Sequence, residues 1–285
     1  MTLKAFVLLL IVLGLSSVAV AQQPQSDLDA QFAALNWQHG PTKGDLGGIA
    51  TLVVPEGYQF LGKGDAVKFM ELNENPTDGS ELGVLVPEDG SWFVVYEFSA
   101  DGYVKDDDRD LDAGVLLASI RRGTAAANEI RRQKGWATLE ILGWQQQPFY
   151  DTATNNLTWS IRGSSEGSTS VNHSTRLLGR RGVMRVNLVA GPEDLGKAVP
   201  DFNSVMRGFT FNPGQTYAEF KRGDKVAEYG LTGLIVGGAG VALAKTGLLQ
   251  KFWKVLVLAF IALAGAVKRF FSGLTRGREV QNQQA

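Results

Sequence analysis

Short alternating runs of apolar and polar residues, cut at intervals by glycine, proline and aspartate, fill residues 42–211 and predict strands joined by tight turns. Beyond Leu46, Ile49, Thr51 and Val53 alternate with Ala50, Leu52 and Val54; Pro55-Glu56-Gly57 makes a turn and 58–61 resumes the strand. Residues 82–86 and 92–98 form a pair around Pro87-Glu88-Asp89-Gly90, a hairpin signal. The second of these is apolar on both faces except at Glu97, the pattern of a strand in the middle of a sheet. The runs 136–144, 156–162, 169–178 and 183–189 follow as an antiparallel meander, separated by 151–155, 163–168 and Gly179-Arg180-Arg181-Gly182.

Elsewhere the period changes from two to about 3.6, the mark of a helix with one buried face. A short helix is expected from Asp65, placed as its N-cap, through Val67, Phe69, Met70 and Leu72, until Pro76 and Asp78-Gly79 break it. The longest helix is expected over 112–134. Its positions Leu116, Ile120, Gly123, Ala127 and Ile130 recur at spacings of four, three, four and three, and Gly135 stops it. A third helix opens at Pro192-Glu193-Asp194, carries Leu195, Val199, Phe202 and Val205, and leads into the extended exit 208–211. About eight strands and three helices without strict alternation predict an α+β fold, an antiparallel sheet with helices packed on it. Residues 22–41 read as a polar leader with one helical turn, and the folded domain as 42–225.

The two ends depart from this pattern. Lys4, the apolar stretch 5–15 and Ala19-Val20-Ala21 before polar Gln22 read as a secretory signal peptide over 1–21. Its apolar core of about 11 residues is short of the ~20 that span a bilayer. At the other end, apolar runs 226–244 and 252–267, of 19 and 16 residues, flank an insert bounded by Lys245 and Lys251, and 272–285 is a basic polar tail. We read 226–271 as a membrane anchor made of a transmembrane helical hairpin, with the domain exported to the outer side of the inner membrane. A single span with the second run lying at the inner interface satisfies the positive-inside rule better, but 255–267 carries no charge and lacks the polar face of an interfacial helix. Within the first run Gly230, Gly233, Gly237, Gly240 and Ala244 are spaced three, four, three and four. On a helix they form one narrow groove, the feature that lets helices associate in lipid, here with the second run or with another subunit.

Charge follows the same division. Residues 22–225 hold 20 Lys and Arg against 27 Asp and Glu, whereas 226–285 hold 7 against 2. An acidic domain is a poor partner for nucleic acid, and the basic end suits anionic lipid headgroups. The absence of cysteine removes disulfides, thiol nucleophiles and thiolate metal sites together.

Several blocks carry a family resemblance: Pro55-Glu56-Gly57-Tyr58, Gly79-Ser80-Glu81-Leu82-Gly83, Trp92-Phe93-Val94-Val95, Gly102-Tyr103-Val104-Lys105-Asp106-Asp107, Ala126-Ala127-Asn128, NHSTRLLGRRG over 172–182, and 223–232. They resemble a bacterial family of membrane-anchored proteins of unassigned role, domain-of-unknown-function family 2167, over about residues 35–249. The resemblance implies a signal peptide, an exported domain and a C-terminal anchor, and it supplies no reaction, cofactor or catalytic residue. The order of hairpin, helix, meander and terminal helix also resembles the sandwich of the PsbP and Mog1 type, a fold analogy that settles no function.

Candidate chemistry is sparse. His173 and Arg176, with Arg180 and Arg181 nearby and Asp151 earlier, are the one cluster resembling a reactive or anion-binding site, although a spacing of three puts the first two on opposite faces of a strand. Asp106, Asp108, Asp110 and Asp112 alternate as calcium ligands do, but Leu111 stands where an EF-hand needs glycine and no Glu closes the loop; an acidic first turn for the following helix is the competing reading. With no GxSxG and no HExxH, hydrolase and zinc readings lack their minimum parts, and no cofactor is expected. The reading is therefore a non-enzymatic binding or scaffolding module of the cell envelope, partnered by the membrane and by another envelope protein or its own copy. The alternatives are an enzyme with a site at His173, Arg176 and Asp151, and a membrane-stress or lipid-interaction factor acting through the hairpin.

Overall fold

The computed structural model of the chain describes residues 25–75 and 77–236. In chain order the elements are α1 (Gln25–Ala33), β1 (Gln38–His39), β2 (Thr42–Leu46), β3 (Ala50–Val54), β4 (Tyr58–Gly62), α2 (Lys63–Leu72), β5 (Glu81–Pro87), β6 (Trp92–Ser99), α3 (Ala113–Gln133), β7 (Glu140–Asp151), β8 (Asn156–Ser165), β9 (Ser168–Leu178), β10 (Val183–Ala190), α4 (Leu195–Met206), β11 (Phe209–Phe211) and α5 (Leu231–Val236). The expected signal peptide, most of the expected hairpin and the polar tail lie outside the described residues.

Eight strands form one antiparallel sheet in the order β1-β4-β5-β6-β10-β9-β8-β7. It joins two meanders, β4-β5-β6 and β7-β8-β9-β10, where β10 pairs with β6 from Val183↔Ser99 to Ala190↔Trp92. Helix α3 is the link that carries the chain from the middle of the sheet to its far edge. Both central strands are buried on both sides, as the run of apolar residues in 92–98 anticipates.

A second sheet, β11-β3-β2, lies with α4 over the first face, where Trp92, Val94 and Tyr96 of β6 meet Met184, Val186 and Leu188 of β10. The second face is divided. Val84, Val86, Phe93 and Val95 pack under α1 and α2, while Leu157, Trp159 and Ile161 pack with residues of α3 and α5. The α+β class is thus realised as a sheet covered on both sides, with one of its covers made of strands.

Three local expectations change. The stretch 22–41 is more than a leader: α1 and β1 belong to the fold, Phe32 and Leu35 are buried, and Phe32 and Trp37 meet the Phe69 ring edge-on at 5.6 and 6.0 Å. Gly62, not Asp65, occupies the N-cap of α2, and Asp65 instead binds Lys68 at 2.9 Å within the first turn. The strand expected over 136–144 begins at Glu140 and continues to Asp151. Register shifts in its pairing with β8 interrupt the alternation on which the sequence reading relied.

The long helix matches its sequence signals. Asp112 Oδ1 accepts from the amides of Gly114 and Val115 at 2.9 Å, and Gly135 follows the C-cap with φ +72°. Asp112→Ala is expected to cost about 1 kcal/mol, read from the urea midpoint, with Asp112→Ser retaining most of it.

Helix α5 corrects the view of the first apolar run. Leu231, Leu234 and Ile235 are buried in the domain's own core beside α3, and Val226 forms a bridge to Tyr103. A Cβ at Gly233 would stand 2.6 Å from the Tyr229 ring, and one at Gly230 would stand 3.1 Å from Asp108 Cβ. These two glycines therefore serve close packing inside the domain. Gly237, Gly240 and Ala244 lie outside the described residues. Among those described, no helix is long and apolar enough to cross a membrane.

Candidate functional site

Alternation along β9 decides what the sheet can bring together. The register with β8 and β10 places His173, Thr175 and Leu177 on the first face with Thr158 and Ser160, and Asn172, Ser174 and Arg176 on the second with Trp159. On the first face α4 and β11 leave room beside them, and a cleft of ≈ 750 Å³ opens over β8 and β9. Thr158, His173 and Thr175 form its floor, Val199, Phe202, Asn203 and Met206 of α4 with β11 one wall, and the β7-β8 turn its rim.

His173 is fixed through Nδ1, 2.7 Å from Ser160 Oγ, and its ring stands edge-on to Phe202 at 5.6 Å. Burial drives its pKa down to about 4, so the imidazole is neutral near pH 7. Asp151 lines the same cleft, but its carboxylate organises the turn. Oδ1 accepts from the Ala153 amide at 2.9 Å and Oδ2 from the Thr154 hydroxyl at 2.8 Å, in that order the causes that hold its pKa below the usual range. Arg176 is on the other side of the sheet. The three candidates therefore do not form one site, because the pleat separates residues three apart. Arg180 is engaged elsewhere again, donating to both oxygens of Asp224 at 2.7 and 2.8 Å.

The acidic run is divided among structural tasks. Asp106 accepts from Arg109, Tyr150 and Tyr217, Asp108 accepts from Thr232 at 2.7 Å, Asp112 caps α3 and Asp110 is exposed. Among the described residues no three His, Asp or Glu side chains come together to hold a metal ion.

The second face holds what the sequence reading missed. Between the two apolar patches, Glu81, Glu97, Arg185, Asn187, Ser174, Arg176 and Asn172 form a buried polar cluster. Glu97 is 0% exposed, accepts from Asn187 Nδ2 at 3.2 Å, and has Arg185 at 3.7 Å. Arg176 lies over the Trp159 ring at 4.6 Å and donates to Asn187 Oδ1 at 3.1 Å. Burial pushes Glu97 up to about 7, with Arg185 opposing only in part, and pushes Arg176 down to about 9. Glu81 Oε2, Glu97 Oε1, Arg176 Nε, Arg185 Nε and both amide atoms of Asn172 have no hydrogen-bond partner among the described residues. Two carboxylate oxygens and two guanidinium nitrogens left over along the row Glu81–Glu97–Arg185–Arg176 are acceptors and donors that bridging water can serve. The available signal was polar residues at inward positions of otherwise apolar strands, of which only Glu97 stood out.

A family model described as "Protein of unknown function (DUF2167)" matches residues 38–268. No curated protein matches the sequence. Similar solved structures include the cyanobacterial PsbP of Synechocystis sp. PCC 6803, at 11% identity over 62% of this chain and 92% of that one with a TM-score of 0.37. LpqN of Mycobacterium tuberculosis, described as involved in cell envelope biogenesis, has 14% identity over 64% and 95% with a TM-score of 0.30. The immunity protein TplEi of Pseudomonas aeruginosa has 9% identity over 60% and 76% with a TM-score of 0.27.

Proposed function

The chain belongs to the DUF2167 family of proteins of unknown function, and we propose that it is a non-enzymatic binding module of the cell envelope, exported and held at the inner membrane, with the cleft over β8 and β9 as its binding site. The observation that carries this reading is the state of the titratable groups in the cleft. Asp151 accepts one bond on each oxygen from its own turn, which lowers its pKa and makes it a weaker base, Tyr217 donates to Val104 O at 2.9 Å, and His173 is buried, neutral and held by Ser160. A general base needs a group free to take a proton near the operating pH, and a ligand pocket needs fixed walls with a few placed polar groups. The cleft meets the second description.

Export and anchoring rest on residues 1–21 and on the apolar runs toward the C-terminus. With α5 built into the domain, eight apolar and small residues, 237–244, remain of the first run. Any helix of eight residues is about 12 Å long, against the ~30 Å of a bilayer core. The run 252–267, with Lys251, Lys254 and Lys268 at its ends, is the better candidate for a span in this arrangement.

A photo-crosslinking amino acid placed at the exposed Thr210, on the cleft wall, tests the reading in native membranes. A discrete adduct that disappears on Asn203→Trp, which fills the cleft from an exposed position of α4, with the domain still protease-resistant, is the expected result. Specific turnover by the purified full chain in a hydrolase and transferase screen, abolished by His173→Ala, would overturn it.

A further inference from the structure

Building on the cleft as a binding site, we propose that its ligand is a neutral, hydroxyl-rich ring, a saccharide unit bound with one face on the α4–β11 wall and its hydroxyls on the sheet floor. Charge sets the first limit. Among the described residues no Lys or Arg lines the cleft, and Asp151, the one carboxylate among them, is turned to its own loop with each oxygen accepting a hydrogen bond there. A phosphate or carboxylate entering there loses its hydration and finds no countercharge.

The floor sets the second. Thr158 and Thr175 present hydroxyls 3.5 Å apart, and the imidazole of His173, held through Nδ1, lies on the same floor. The two hydroxyls satisfy each other through one proton only, so an acyl chain laid across them would bury the rest of their hydrogen-bonding capacity unmet. Asn156 and Asn203 add amides that both donate and accept, matching hydroxyls that do the same.

The opposite wall sets the third. Phe202, Met206 and Phe211 offer an apolar surface, and Phe149 stands 61% exposed at the rim. A sugar ring is a molecule with an apolar C–H face and a hydroxyl edge, and it satisfies both walls at once. At ≈ 750 Å³ the cleft has the size of ordinary small-ligand sites, with room for more than one ring.

Ligand-observed NMR and calorimetry on the full chain in lipid nanodiscs test this. The probes are maltoheptaose and chitotetraose as neutral saccharides, inorganic phosphate as the anion and octanol as the apolar chain. Nanodiscs doped with a galactosyl diacylglycerol separate a lipid-borne ring from a free chain. The expected result is saturable binding of a neutral saccharide with a Kd of about 1 mM or tighter, weakened about tenfold by Phe149→Ala and by Asn203→Ala. Both positions are exposed, so neither variant threatens the fold. Binding of phosphate or octanol in place of the saccharides, or saccharide binding indifferent to both variants, sinks the ligand class. If the Thr210 crosslink is still formed, the cleft remains a binding site for something else; if no probe binds and no crosslink forms, both readings fall.

Discussion

Arg185→Met is expected to destabilise the domain by about 3–5 kcal/mol, seen as a large drop in the denaturant midpoint. The side chain is buried, donates to Ser80 Oγ at 2.9 Å and supplies the charge nearest to Glu97. Removing it leaves a carboxylate in a site closed to bulk water, with Glu81 directly opposite on β5. Glu97→Met together with Arg185→Met removes both charges, and the double variant is expected to recover most of the loss, because well-packed apolar groups replace a buried pair at little cost. The pH dependence has a definite sign. Burial raises Glu97 from its ordinary 4.5 to about 7, so its contribution to stability is complete below the ordinary value and is lost as pH rises through about 7. Arg185 lowers that pKa, so the single variant is expected to lose more at pH 8 than at pH 5. Equal losses at both pH values, or no recovery in the double variant, would mean that the cluster is hydrated well enough to tolerate an unpaired charge.

Leu231→Ala is expected to cost about 2–5 kcal/mol, measured by pulse proteolysis of the full chain in native membranes. Leu231 is 0% exposed and packs in one core with Leu116 and Ile120 of α3. Its neighbour Tyr229 donates to Asp101, and Thr232 holds Asp108, so the segment is tied to the domain by polar contacts as well. The same change at Leu256, in the second apolar run, is expected to leave the domain within ~0.5 kcal/mol. A neutral Leu231→Ala would restore the first run to the role of a membrane span. The result bears on where the folded domain ends: a large loss places 231–236 inside it.

Much of the fold was legible because its signals are local. The stripe from Leu116 to Ile130, the Asp112 cap and Gly135 mark α3 without reference to anything distant. The turns at 87–90 and 179–182 similarly mark the hairpins of β5-β6 and β9-β10. The odd spacing of His173 and Arg176 already implied opposite faces, and the structure places them so. Other parts were hidden because the same local pattern fits two environments. A glycine repeat such as Gly230 and Gly233 looks alike whether it admits a second helix in lipid or the ring of Tyr229. A polar stretch such as 25–39 looks like a leader unless Phe69 is known to be waiting for Phe32 and Trp37.

The sequence by itself determined most elements between residues 42 and 211, their antiparallel logic, the family, and which residues of each strand share a face, since a period of two is a property of one strand alone. Only the tertiary structure decided that β6 pairs with β10 across the α3 crossover, that three strands and α4 roof the first face, and that α5 closes the second. Those choices depend on contacts between residues far apart in the chain, whose free energy comes from the joint burial of many side chains. The cleft at His173 and the cluster at Glu97 are products of that pairing, so no stretch of sequence carried either of them alone.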